Sequence, residues 1–226
     1  MTQQIEAIAY HGWGYDQTAW IEWKTVFADQ NIAFAAFDRG YFGDGFTPQF
    51  SEQAFKLLFV HSYGLHLCPQ EQLQMADLLV IFSSFLTFHP EPEQLKRRSQ
   101  RVLQRMVDEF KVNPIEVLTT FKINSSDPST ECPTNVNHDL LLRDLKHLGS
   151  TQLDPSIVQS IPKILVFHGD SDRIVPVDQG RCFVSQIASD ADYIEVAGAG
   201  HALPFTHLTE CWATVNAHLP FRDDPE

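Results

Sequence analysis

Basic residues are scarce in this chain: 16 lysines and arginines stand against 29 aspartates and glutamates in 226 residues, a formal net charge of −13. General nucleic-acid binding requires a basic face, so the composition argues against that class. Long apolar runs are also missing, and none comes near the ~18 residues from which a membrane span is read. The first residues lack the charged, then apolar, then small-residue succession of a signal peptide. The expectation is a soluble, cytoplasmic chain with no membrane attachment. Cysteine is sparse: Cys68, Cys132, Cys182 and Cys211 lie far apart, with no C-x-x-C pair. That spacing supports neither a zinc site nor a disulfide framework and predicts free, buried thiols. No internal repeat or low-complexity tract is present.

What the chain does have is apolar mass. With 43% apolar residues and 12% aromatics, it can bury one sizeable core and is expected to form one globular domain. Short apolar runs at 5–10, 32–37, 56–60, 78–82, 163–169 and 193–198 read as strands, several of them apolar on both faces, as buried parallel strands are. Between them, 17–29, 65–76, 178–189 and 206–218 have helical spacing and length. The alternation predicts an α/β fold: a mostly parallel sheet with helices on both faces. From about Ser84 to Ser160 the rhythm breaks. This interval is rich in charge, proline and helical pattern, lacks a convincing strand, and contains a loop-like stretch at 122–135. It predicts a core of 1–83 and 161–226 carrying a helical lid insertion at 84–160.

The chemistry concentrates at the ends of the apolar runs, where parallel sheets bind ligands. In "VHSYG" (60–64), Ser62 ends a strand and Gly64 lets the chain turn. A serine on such a turn exposes its hydroxyl and aims the next backbone N–H at a developing oxyanion, as in the G-x-S-x-G nucleophile elbow. Val60 stands where that pattern has a small residue. A serine needs a histidine to take its proton, and the imidazole needs a carboxylate to fix its tautomer. Past the strand at 163–169, "DSDRIVP" offers Asp170 and Asp172; past the next strand, "AGHALPF" offers His201. The order Ser, Asp, His, each on a strand-end loop, is the α/β-hydrolase order. Of the other histidines near these stretches, His11, His61, His66, His168 and His207 are expected in structural or surface roles. After the first strand, Gly12 and Gly14 in "HGWGYDQTAW" (11–20) let backbone N–H groups approach a substrate oxygen. The N–H groups of Trp13 and Tyr63 form the predicted oxyanion hole.

Together "HGWGYDQTAW", "HSYG", "HGDSDRIVP" and "AGAGHALPFTH" resemble the α/β-hydrolase superfamily and, within it, the pimeloyl-[acyl-carrier protein] methyl ester esterases of biotin synthesis. The likeness runs through nearly the whole chain, including the position of the insertion. Its narrower part rests on "HGWG" followed by Trp20, on "GHALPFTH", and on a basic helix in the insertion. The resemblance implies removal of a methyl ester from pimeloyl carried on acyl carrier protein, by Ser-His-Asp chemistry with no cofactor and no metal. It also favours Asp172 over Asp170, because the acid loop of these hydrolases usually reads G-x-x-D-x-x-V-P. Another esterase, thioesterase or menaquinone-pathway lyase of the same fold is an alternative. So is a catalytically silent binding protein, for which Val60 is the argument.

The basic helix can be read directly. Residues 94–111, "QLKRRSQRVLQRMVDEFK", hold six of the 16 basic residues. On a helical wheel Leu95, Val102, Leu103, Met106 and Phe110 gather on one side, with Arg97, Arg98, Arg101 and Arg105 on the other. Arginine forks suit carboxylates and phosphates. The stripe is therefore a candidate dock for an acidic partner, and acyl carrier protein is acidic and carries its acyl chain on a phosphopantetheine arm. A solvated helix face is the plain alternative.

Overall fold

A computed structural model of the chain describes residues 4–129, 135–187 and 190–220. Six apolar runs pair into one parallel sheet in the order β2-β1-β3-β4-β5-β6. They are β1 (Ile5–Tyr10), β2 (Ala33–Ala36), β3 (Phe55–His61), β4 (Leu78–Phe82), β5 (Lys163–Gly169) and β6 (Ala191–Val196). Central strands are covered on both faces, which is why they read as continuous apolar runs. Phe59, Phe82 and Phe167 stack across three neighbouring strands at centroid separations of 5.8 and 5.3 Å. They face α1 (Ile21–Asp29), whose Trp23 and Phe27 fill the layer with Cys211 and Val215 of a C-terminal helix. The alternate residues Leu58, Val60, Ile81 and Val166 face the opposite layer, with Leu65, Leu73 and Phe183.

Several expected elements differ at their ends. The helix expected over 65–76 is two short ones, α2 (Gly64–Leu67) and α3 (Gln70–Met75). Pro69 causes the break, because its ring pushes the preceding Cys68 into the extended region. The helix expected over 206–218 divides at His207, whose backbone (φ −126°, ψ 35°) leaves the helical region between a short helix at Leu203–Thr206 and a longer one at Leu208–Asn216. The strand expected at 193–198 runs two residues earlier, because the chain turns at Gly198 (φ 74°). Of the helix expected over 178–189, residues 188–189 lie outside the described part, as does Cys132. Cys68 and Cys211 are free and buried, but free Cys182 is only half-buried.

Between β4 and β5 come α4 (Glu93–Phe110), α5 (Pro114–Asn124) and α6 (His138–Leu148), with no strand among the described residues of this interval. Residues 122–124 of the expected loop belong to α5, and 130–134 lie outside the described part. The helices pack through Leu103, Val107 and Phe110 on α4, Val117, Leu118 and Phe121 on α5, and Leu141, Leu145 and Leu148 on α6. The buried face of α4 is thus rotated from the wheel reading. Leu95 and Val102 are 50% and 62% exposed, because α5 and α6 approach the Leu103–Val107–Phe110 side only.

One polar anchor fastens α6 to the sheet. The buried Asp144 carboxylate accepts from Arg39 Nε at 2.7 Å, from Arg39 Nη2 at 3.1 Å and from the Tyr41 hydroxyl at 2.9 Å. Burial works against the charged carboxylate, but the guanidinium and hydroxyl outweigh it and hold Asp144 below the usual carboxylate range. A folded-state pKa below the unfolded one gives a contribution that is complete above ~pH 5 and lost as pH falls through the folded value. Asp144→Ala is therefore expected to lower the unfolding free energy at pH 7 by about 3 kcal/mol, since it strands a half-buried cation. Urea unfolding at pH 7 and pH 3.5 checks this, with the gap between variant and wild type narrowing in acid.

Candidate active site

β3 delivers Ser62 to a crossing of backbones where few conformations fit. Ser62 has φ 55°, a left-handed conformation that a non-glycine residue adopts only when its surroundings impose it. Its N–H donates to Phe82 O at 2.9 Å, and its carbonyl accepts from Ser84 Oγ at 2.8 Å. Two residues on, a Cβ at Gly64 would lie 2.5 Å from Tyr10 O, so only glycine lets α2 start against the end of β1. Val60 is fully buried in the cluster that also holds Leu65, so it packs on the side of the helix that follows the serine and the turn forms with it in place.

The loops after β5 and β6 bring two partners to that serine. The Ser62 hydroxyl lies 2.9 Å from His201 Nε2, and His201 Nδ1 lies 2.8 Å from Asp172 Oδ2. Asp172 Oδ1 accepts from the N–H groups of Ile174 and Val175 at 2.8 and 2.9 Å. Desolvation alone would raise the Asp172 pKa; His201 and these donors outweigh it and keep the carboxyl below its ordinary range. The carboxylate thus holds the His201 proton on Nδ1, leaving Nε2 free to accept from the serine hydroxyl. Asp170 is elsewhere. It is exposed and accepts from Gly198 N–H and Ser171 Oγ at 2.8 and 2.9 Å, bracing the turn after β6.

The expected oxyanion pair flanks the serine. Neither Trp13 N–H nor Tyr63 N–H has an acceptor among the described residues, and both residues line the cleft above Ser62. A Cβ at Gly12 would come within 3.0 Å of Ser62 Cβ, so glycine there lets the Trp13 backbone come close. The cleft holds about 1860 Å³, with apolar walls from residues such as Phe88, Met106, Val117 and Phe121. Arg98, Arg101, Arg105 and Arg173 also border it, while Arg97 does not. Two of the stripe's arginines are already paired on their own helix: Arg97 to Glu93 at 2.6 Å and Arg105 to Glu109 at 2.7 Å. Among the described residues no group of His, Cys, Asp and Glu side chains is arranged to hold a metal ion, and no helix is long and apolar enough to cross a membrane.

Two histidines inside the motif stretches have roles the motifs do not specify. His61 is fully buried, and its Nε2–H donates to the His201 carbonyl at 2.9 Å. His168 is also fully buried and donates Nε2–H to Val175 O at 2.8 Å, behind the acid loop. Burial pushes both imidazoles below the usual histidine range, so they act as neutral clamps. Each directly adjoins or faces a motif residue in sequence, but position alone does not tell a clamp from a surface histidine. Ala202 N–H donates to Ser125 O at 2.8 Å, so the end of α5 supports the His201 loop.

No protein-family profile matches the chain. One curated relative, esterase LipC of Mycobacterium tuberculosis, is 39% identical over 49 residues, covering 20% of this chain and 12% of that protein's length. Solved structures match across almost the full chain. An esterase from Exiguobacterium antarcticum superposes with a TM-score of 0.77 at 12% identity, covering 96% of this chain and 92% of that one. An enol-lactonase from Burkholderia xenovorans gives 0.72 at 14%, with 96% and 91% covered. A thermophilic esterase from Thermogutta terrifontis gives 0.71 at 13%, with 96% and 90% covered. With its parallel six-stranded sheet, the chain has the α/β-hydrolase fold.

The two acid candidates are separable by experiment. Asp172→Asn keeps the shape but favours the wrong His201 tautomer, and is expected to lower kcat on a chromogenic ester by about 10⁴. Asp170→Asn is expected to stay within about threefold of wild type, since its contacts lie on an exposed turn. Steady-state kinetics of both variants decide between them; the opposite ranking would make Asp170 the functional acid.

Proposed function

We propose that the chain is a serine-dependent carboxylic ester hydrolase. The observation that carries this reading is the hydrogen-bonded series Ser62, His201, Asp172, with Ser62 lining an apolar cleft. In the proposed reaction Ser62 Oγ attacks the ester carbonyl carbon as its proton passes to His201 Nε2. The carbonyl oxygen becomes an oxyanion that accepts from the Trp13 and Tyr63 N–H groups. The tetrahedral intermediate collapses, its alkoxide leaves with the proton from His201, and Ser62 remains acylated. Water then repeats the sequence, releasing the acid and restoring the serine. Asp172 stays ionised throughout and stabilises the imidazolium.

As substrate we propose the methyl ester of a pimeloyl chain carried on acyl carrier protein, so that the alcohol released is methanol. The apolar cleft suits a flexible acyl chain. The arginines of α4 supply the charge an acidic carrier and its phosphate arm would meet, and the ion pairs of Arg97 and Arg105 are solvent-exposed, weak enough to be exchanged for partner contacts. The motif resemblance points to the same substrate. The burial of Val60 in the core, with the turn formed, supports the active reading over a silent fold.

Ser62→Ala should reduce hydrolysis of a short chromogenic ester by roughly 10⁴ to 10⁶ while leaving the unfolding midpoint unchanged. A variant keeping more than a tenth of wild-type activity would overturn the reading. For the carrier, the variant with Arg97→Glu, Arg101→Glu and Arg105→Glu is expected to lower kcat/KM on the carrier-bound ester about tenfold or more. The free short ester should be affected little, and added salt should reproduce the loss in wild type. Equal losses on both substrates, or none, would remove the carrier-docking role.

A further inference from the structure

We propose that α6 is a fixed scaffold for the oxyanion hole, with His147 as a positioning residue that acts through Tyr63. The inference rests on the esterase reading above. Both residues assigned to the oxyanion hole are tied by their side chains to this one helix. Trp13 Nε1–H donates to Leu141 O at 2.9 Å, and the Tyr63 hydroxyl lies 2.8 Å from His147 Nδ1. Burial, followed by the charge of Asp144, pushes the Tyr63 phenol up to about 12. It therefore stays protonated and donates to His147 Nδ1, which places any single imidazole proton on Nε2. The helix is itself held from below by Asp144 with Arg39 and Tyr41, and by the buried Leu141, Leu145 and Leu148.

An oxyanion donor works only if its N–H points at the place the charge will develop, and it must be held there before the reaction. Tyr63 follows the strained Ser62 directly, and the peptide plane that bears its N–H is held on the carbonyl side by Ser84 Oγ and Leu65 N–H. The hydrogen bond at the far end of the tyrosine ring restrains the same residue from its side chain, adding a second hold on the Cα that carries the N–H. His147 is exposed and does not line the cleft, whereas Tyr63 does. An effect of His147 on the reaction must accordingly pass through Tyr63, not through substrate.

The test is a double-mutant cycle on a short chromogenic ester with Tyr63→Phe, His147→Leu, both together, and His147→Asn. Tyr63→Phe retains the backbone donor and removes only its tether. Losing an oxyanion donor outright costs ~10² to 10³ in kcat, and loosening one costs part of that. Each single variant is expected to lower kcat about tenfold with KM within about twofold, and the double variant to be no worse than either, since both break the same bond. His147→Asn places an amide oxygen where Nδ1 stood and is expected to recover most of the activity. An unchanged kcat, a loss carried by KM, or losses that multiply in the double variant would each overturn the assignment. Ser62→Ala measured alongside separates the two levels: if it is inactive while the His147 and Tyr63 variants match wild type, only the scaffold fails; if it is active, the esterase reading fails too.

Discussion

Everything in the site hangs on one crowded crossing, where the turn after β3 passes the ends of β1 and β4. A left-handed serine costs of order 1 kcal/mol or more, and the fold meets that cost with contacts that admit no alternative. The Ser62 backbone is held on both sides by β4 and Ser84. Gly12 and Gly64 remove the two side chains that would force the strands apart. From this point the neighbouring parts follow: the Trp13 backbone comes close because Gly12 is close, and Tyr63 is the residue next to Ser62 in the chain. The G-x-S-x-G pattern places a small residue at position 60 as well, but here a valine fits. In β3 the residues alternate, so Val60 projects into the layer that also holds Leu65 of α2, where it is fully buried.

The electrostatics are equally economical. Four fully buried imidazoles, His11, His61, His168 and His201, lie near the ends of β1, β3, β5 and β6. Were all of them protonated, each would oppose the transfer of a proton to His201. Burial keeps His11, His61 and His168 below the ordinary histidine range, and each spends its ring N–H on a backbone carbonyl. Ionised Asp172 is the charged partner of His201. The Asp172 carboxylate is thus held toward His201 Nδ1 by the Ile174 and Val175 N–H groups.

The sheet was legible in the sequence because strands covered on both faces cannot hide their apolar runs, and the order of Ser62, Asp172 and His201 was legible because each follows such a run, on the turn or loop past its end. Boundaries were less so: the pattern of 65–76 is helical in period, but Pro69 acts through the backbone of Cys68, which periodicity does not see. The orientation of α4 was misread for a related reason. A wheel gathers Leu95, Val102 and Met106 with Phe110, yet the buried side is chosen by where α5 and α6 stand, and they stand against Val107. His61 and His168 were visible as residues but not as clamps, because their partners are backbone carbonyls far along the chain. Asp144 and His147 lie in an interval with no motif at all, and only the folded arrangement brings them to Arg39 and Tyr63.

The helices between β4 and β5 divide the work unequally. On α6, four of 11 residues are buried, among them an ion-paired aspartate, and two more contacts reach Trp13 and Tyr63. On α4, three of 18 are buried, and exposed Leu95 and Val102 border the cleft together with Arg98, Arg101 and Arg105. A helix held by a buried ion pair cannot shift without breaking its contacts to the Trp13 and Tyr63 side chains beside Ser62. A helix that meets its neighbours along one narrow stripe is free of that constraint. Its outer face carries the arginines that border the cleft and the two exposed ion pairs, whereas α6 reaches the same cleft only through the buried Leu145 and Leu148.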